Sequence, residues 1–225
     1  MSYEVREEEL RIDFGIRKIR IPYRLMKDAQ LTSLTLIFRI FGGSWPGLYW
    51  GLFRAKDAGN IQVYSTRWRG EFVVISTLDG RRIAISPSEP EKFLADIISK
   101  KAEFGTASQS EVKKSQITAI RIVHGQVLTV VLAYVFFLAY FLTVYQTLPQ
   151  IVPIHFDINW VPNRWADKSE LLIIAALSAM FPLLNAILVV KYGRYSKDLV
   201  LFLGVVFILI IALFATILHL TYSYI

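Results

Sequence analysis

The stretch LVLFLGVVFILIIALFATILHLTY, residues 199–222, decides the architecture of this chain. It holds no Asp, Glu, Lys or Arg. About 20 apolar residues in a helix cover the hydrocarbon core of a bilayer, and a helix satisfies its own backbone hydrogen bonds there. Two more uncharged runs lie upstream, at 126–148 and 171–190. One soluble domain does not bury three such runs. Residues 125–225 therefore read as three transmembrane helices, with a loop at 149–170 between the first two.

The remainder has a different solvent. Of the 25 Lys+Arg and 18 Asp+Glu, 20 and 14 fall within residues 1–124. Hydrophobic residues make up 54% of the chain, above the usual range for a soluble domain. There is no cysteine, which removes disulfides and thiolate chemistry. The start, MSYEVREEE, lacks the basic, then apolar, pattern of a signal peptide, so residues 1–124 are expected to stay in the cytoplasm. The loops agree. Lys100, Lys101, Lys113, Lys114 and Arg121 precede the first span, and Lys191, Arg194 and Lys197 lie between the second and third. In the 149–170 loop, Arg164 and Lys168 are offset by Asp157, Asp167 and Glu170. The positive-inside rule then sets the N-terminus in the cytoplasm and the C-terminus outside, in a multi-pass cell-membrane protein.

Residues 1–99 read as a small β domain. Strands are expected at 10–14 and 17–22, and three short antiparallel strands across 61–85. Asp79-Gly80 is a hairpin signal, because both residues tolerate positive φ. Ser88 with Glu91 resembles a capping box for a helix whose apolar face is Phe93, Leu94, Ile97 and Ile98. The run 34–53 is ambiguous: apolar, with glycines at helix-packing spacing, but interrupted by Arg39 and by four Gly or Pro residues between 42 and 47. It reads as strand, glycine-rich loop, strand, with a fourth span as the alternative. Residues 100–124 read as a linker and juxtamembrane segment, most polar from 100 to 114. The fold class is thus α+β: a small barrel closed by a C-terminal helix, followed by three membrane helices.

Two segments carry family resemblances. Phe41-Gly42-Gly43-Ser44-Trp45-Pro46-Gly47-Leu48-Tyr49, then Tyr64-Ser65-Thr66, Asp79-Gly80-Arg81, Ile85-Ser86-Pro87, Pro90 and Phe93-Leu94 resemble the bacterial pleckstrin-homology-like (PH-like) domains. That resemblance covers about residues 8–99. It implies a seven-stranded, partly open barrel capped by a helix, with 34–53 inside it. Leu148-Pro149-Gln150-Ile151-Val152-Pro153-Ile154-His155-Phe156, continuing to Pro162-Asn163-Arg164-Trp165-Ala166-Asp167-Lys168, is similar to the DUF1648 membrane domain. Trp160 stands where that family usually has glycine, and Ala166-Asp167-Lys168 replaces its Gly-Ser-Lys. The resemblance implies a sensing or immunity-like role and no established chemistry.

Candidate binding residues follow from chemistry and position. In the loop they are His155, Asp157, Arg164 and Trp165. In the β domain Arg67, Arg69, Arg81 and Arg82 cluster at two turns and suit anionic lipid headgroups, each contributing on the order of 1 kcal/mol near the surface. A metal at His155 would need Asp157, Asp167, Glu170 or His219 beside it. No HExxH or H-x₃-H spacing provides one, so neither metal nor cofactor is assigned. No GxSxG motif, cysteine or Ser–His–Asp arrangement supports nucleophilic catalysis. Nucleic acid has no motif behind it. No Asp, Glu, Lys or Arg lies within a span, which argues against ion-coupled transport. The expectation is a non-enzymatic binding, scaffolding, sensing or immunity-like membrane protein whose partners are the bilayer and a protein. The alternatives are a membrane metalloenzyme centred on His155 and an accessory subunit of a larger membrane complex.

Overall fold

The computed structural model describes residues 1–225 apart from Ile16 and Arg194. The chain divides into two units, Met1–Ile120 together with Tyr195 and Ser196, and Arg121–Gly193 together with Lys197–Ile225.

The first unit opens with β1 (Ser2–Val5), β2 (Glu9–Asp13) and β3 (Lys18–Pro22), an antiparallel sheet in that order. Alternation turns Leu10, Ile12 and Ile21 inward, and all three are fully buried. A 3-10 turn, Tyr23–Leu25, leads into β4 (Met26–Trp45), followed by β5 (Leu48–Ala55), β6 (Gly59–Ser65), β7 (Arg69–Thr77) and β8 (Arg82–Ile85). These five close a barrel in the order β4-β5-β6-β8-β7. The length of β4 makes closure possible: its first half pairs with β7 and its second half with β5.

The glycines of 34–53 serve this hairpin. Gly42 and Gly51 pair across it with φ of 111° and 114°. A Cβ on Gly51 would collide with the Phe41 carbonyl, and one on Gly42 with the Trp50 carbonyl. The segment is therefore strand, with Gly42 and Gly43 inside β4 and the turn confined to Pro46-Gly47; it is not a membrane span.

Three expectations need correction. Strands β6, β7 and β8 are not all antiparallel, because β8 lies between the other two and runs parallel to β6. The barrel is closed and five-stranded, with β1–β3 as a separate sheet, in place of a partly open seven-stranded one. The helix α1 (Pro90–Phe104) starts from Glu89 with no side-chain cap, so the Ser88–Glu91 box does not form. Proline in the first turn, where its missing N–H costs nothing, marks that start. Ile97, Phe93, Leu94 and Phe104 of α1 pack with Leu10, Ile12, Ile21 and Tyr23, closing the core.

Residues 100–114 are mostly helical rather than linker: α1 runs to Phe104, and α2 (Gln109–Thr147) begins four residues beyond Gly105. The Ser108 N–H and hydroxyl both reach the Glu111 carboxylate, which organises the first turn of α2.

The second unit continues α2 into β9 (Ile151–Phe156), β10 (Pro162–Asp167), α3 (Glu170–Tyr192) and α4 (Lys197–Ser223). All three helices are long and apolar enough to cross a membrane. Their large side chains point outward: Leu128, Phe136, Leu183, Leu201 and Leu209 are exposed, as hydrocarbon solvent requires. Polar side chains tie the helices together inside. Asn185 on α3 is fully buried. It accepts from Gln126 Nε2 of α2 at 2.9 Å and donates to the Leu203 carbonyl of α4 at 3.1 Å. Hydrogen bonds of this kind join helices where the hydrophobic effect does not.

Candidate functional site

The loop between α2 and α3 is a built hairpin. Its register pairs Ile151 with Asp167, Val152 with Ala166, Pro153 with Trp165, His155 with Arg164 and Phe156 with Pro162. Pro153 and Pro162 fix φ and withhold an N–H, which a two-stranded sheet accepts because each strand has a free edge. The underside is apolar. Val152 is buried with Leu148, Phe141 and Val144 after and along α2, Leu171 of α3 and Leu218 of α4.

Polar ties add to this seating. Lys168 Nζ donates to the Leu148 carbonyl at 2.9 Å and stands 5.2 Å from the Tyr145 ring centroid. Thr221 Oγ1 donates to the Pro153 carbonyl at 3.1 Å. Asp167 takes the Ser169 N–H at 2.8 Å and an amide hydrogen of Gln150. The Ser169 backbone bond, then its hydroxyl and Gln150, hold the Asp167 carboxyl below the usual carboxylate range. The hairpin is thus fastened to the ends of all three helices.

The four loop candidates have distinct surroundings. His155 is exposed, with Nδ1 2.6 Å from Asn163 Oδ1. An amide oxygen only accepts, so His155 donates through Nδ1–H. Asp157 Oδ1 accepts the N–H groups of Asn159 and Val161, each at 2.8 Å, and so organises the turn. Arg164 meets Glu170 at 3.4 Å with both side chains exposed. Trp165 is half exposed beside them. Trp160, at the glycine position of the resembled family, has a φ of 63°.

His155 and His219 take different partners: His219 Nδ1 lies 3.3 Å from the Tyr140 hydroxyl. Among the described residues, no three of His, Cys, Asp and Glu come together as a metal set. The arrangement offers exposed donors and a planar apolar surface on a fixed support, which suits recognition.

The arginines of the barrel divide in two. Arg81 grips the Asp79 carboxylate, Nε at 3.2 and 3.1 Å from its two oxygens, and Asp79 also accepts from the Thr77 and Ser115 hydroxyls. Burial alone would raise the Asp79 carboxyl; the Thr77 bond, the Arg81 charge and bond, and Ser115 outweigh it, leaving a lowered pKa. Arg82 Nη1 donates to the Ala58 carbonyl at 2.7 Å. Arg67 and Arg69 are exposed. Trp68 between them packs edge-on against Tyr49 and Phe53, with ring centroids 5.3 and 5.9 Å away.

Sequence reasoning gave Asn163, Thr221 and Tyr224 no part in holding the hairpin. Asn163 stands within the quoted loop motif, but nothing in the sequence pairs it with His155. The two residues near the end of α4 stand in a polar cluster, Thr221-Tyr222-Ser223-Tyr224, that breaks an otherwise apolar run.

Residues 1–101 match the family model of the bacterial PH domain, and residues 130–179 match that of a domain of unknown function, DUF1648. The second match takes in most of the apolar part of α2, the whole hairpin and the start of α3. No curated protein and no solved structure matches the chain. The N-terminal part is thus similar to a bacterial PH domain, and residues 130–179 are similar to DUF1648 within a part whose three apolar helices fit a membrane domain.

Proposed function

We propose that this protein is a non-enzymatic membrane receptor in the broad sense: it binds a ligand or partner protein at the β9–β10 hairpin and offers its PH-like barrel as an interaction module on the opposite side of the membrane. One observation carries this reading. The hairpin that exposes His155, Arg164 and Trp165 is held by the ends of all three helices, through Leu148, Leu171, Leu218 and Thr221. A rigid support of that kind is what a recognition surface needs, because ordering is not then charged to binding.

The sidedness is part of the proposal. Lys191 and Lys197 lie at the opposite helix ends from the hairpin, where Arg164 and Lys168 face three acidic residues. The barrel and the α3–α4 connection then belong to the cytoplasm, and the hairpin and C-terminus to the outside. On the barrel, the exposed Arg67 and Arg69 are the groups suited to anionic headgroups; Arg81 and Arg82 are already committed to Asp79 and Ala58.

Crosslinking followed by affinity purification of the full chain from native membranes tests this. The expected result is a partner recovered with the wild type and lost with Arg164→Ala and Trp165→Ala together. Recovery of the chain alone, or of the same partner with both proteins, overturns the role given to the hairpin.

A further inference from the structure

We infer that the turn at the tip of this hairpin, residues 157–161, is an anchor that sits in the lipid headgroup–acyl boundary, with Ile158, Trp160 and Val161 in contact with lipid. This stands apart from the recognition role of His155, Arg164 and Trp165, and uses different side chains.

The tip is apolar where a solvated turn is normally polar. Ile158 is 95% exposed, Val161 51% and Trp160 49%. From Ile158 to Asn163 the chain has no charged residue. Asp157 is the one charge at the turn, and its Oδ1 is occupied by two backbone N–H groups.

The backbone of the turn is also closed on itself. The Asp157 N–H bonds the Val161 carbonyl at 2.9 Å, and the Trp160 N–H bonds the Asp157 carbonyl at 3.0 Å. The Trp160 carbonyl accepts from the Tyr224 hydroxyl at 3.0 Å. Closing bonds of this kind are common in turns, and here they leave few backbone groups to be desolvated. A turn that enters a low-dielectric layer needs such pairing, because each unpaired group there is costly.

Position supplies the occupant. Tyr224 directly follows α4, and its ring also packs on Phe156 with centroids 5.9 Å apart. The tip is therefore drawn down to the level of a membrane helix's end instead of projecting away from it. At that level lies the interfacial layer that tryptophan favours.

The chain has no cysteine, so single-cysteine proteins need no background removal. Full-length Ile158→Cys and, as a water-exposed reference, Ser88→Cys would carry a nitroxide. Both would be reconstituted in phosphatidylcholine–phosphatidylglycerol nanodiscs and their collision with oxygen and with a neutral nickel chelate measured. The expected result is an oxygen-to-nickel accessibility ratio several-fold higher at position 158 than at 88. A ratio at 158 equal to or below the reference places the tip in water and overturns the proposal. Low accessibility to both reagents at 158 means coverage by protein, which also overturns it. Because Ile158 is almost wholly exposed, its replacement leaves the packing of the hairpin intact.

Discussion

The hydroxyl of Tyr224, one residue beyond α4, donates to the carbonyl of Trp160 at the hairpin tip over 3.0 Å. This bond joins the hairpin tip to the residue that follows α4. Tyr224→Phe deletes it and keeps the ring contact with Phe156. The expected cost is about 1 kcal/mol, local to the tip. Hydrogen exchange in nanodiscs would rise at the amides of Asn159, Trp160 and Val161 and stay unchanged in residues 1–101. Unchanged protection at the tip would show that Tyr224 does not hold it.

Asn185 and Gln126 form the polar link inside the membrane. Asn185→Leu leaves Gln126 without its acceptor and removes the bond to Leu203. Gln126→Leu with Asn185→Leu removes both polar groups at once. The double variant should lose less thermal stability in detergent than Asn185→Leu and Gln126→Leu do in sum, with a coupling of about 0.5–2 kcal/mol. A coupling of zero would mean that the two amides act independently.

Gly51→Ala introduces a Cβ against the Phe41 carbonyl at a φ of 114°. Both the clash and the backbone region penalise it, and the expected loss exceeds about 2 kcal/mol. Gly80→Ala, where a Cβ meets nothing but φ is 89°, should cost less. Comparing soluble yield and melting of the two variants separates steric contact from backbone strain. Equal losses would assign the whole effect to φ.

The lowered pKa of Asp79 makes the barrel acid-sensitive. A carboxyl whose folded pKa lies below its ordinary value of 3.8 contributes stability that is full above that value and is lost as pH falls through the folded pKa. Asp79→Asn should therefore weaken the barrel at neutral pH and flatten its stability below about pH 4. Parallel acid limbs for variant and wild type would remove Asp79 as the source.

The three spans were legible because exclusion of charge over 20 residues has no cheaper explanation than lipid. Strands β2, β3, β6, β7 and β8 and helix α1 were legible from alternation, the Asp79-Gly80 turn and the first-turn proline. Pairing was not. Nothing in the alternation of Ile61, Val63 and Ile83 says that β8 enters beside β6 in parallel, because a period of 2 reports faces and not neighbours. The run 34–53 looked equivocal because irregular register near Phe38 and Arg39 breaks its alternation, leaving Ile37 and Phe38 both exposed. At the site, His155 and Trp165 were visible as unusual residues in a loop. Their support was not, because Thr221 and Leu218 come from more than 50 residues away. The arginines were visible as a cluster, but Asp79 and the Ala58 carbonyl had already claimed two of them.

The place of β8 in the barrel also sets the order of its assembly. Until Ile85 has emerged from the ribosome, β6 and β7 each present an unpaired edge, and the cylinder stays open along one seam. The closing strand is four residues long and is made last, after every other stave is in place. A nascent chain stalled before it would expose two ready templates for pairing with a neighbouring copy. The short interval between Thr77 and Ile85 is thus a window in which those two edges are open to such pairing.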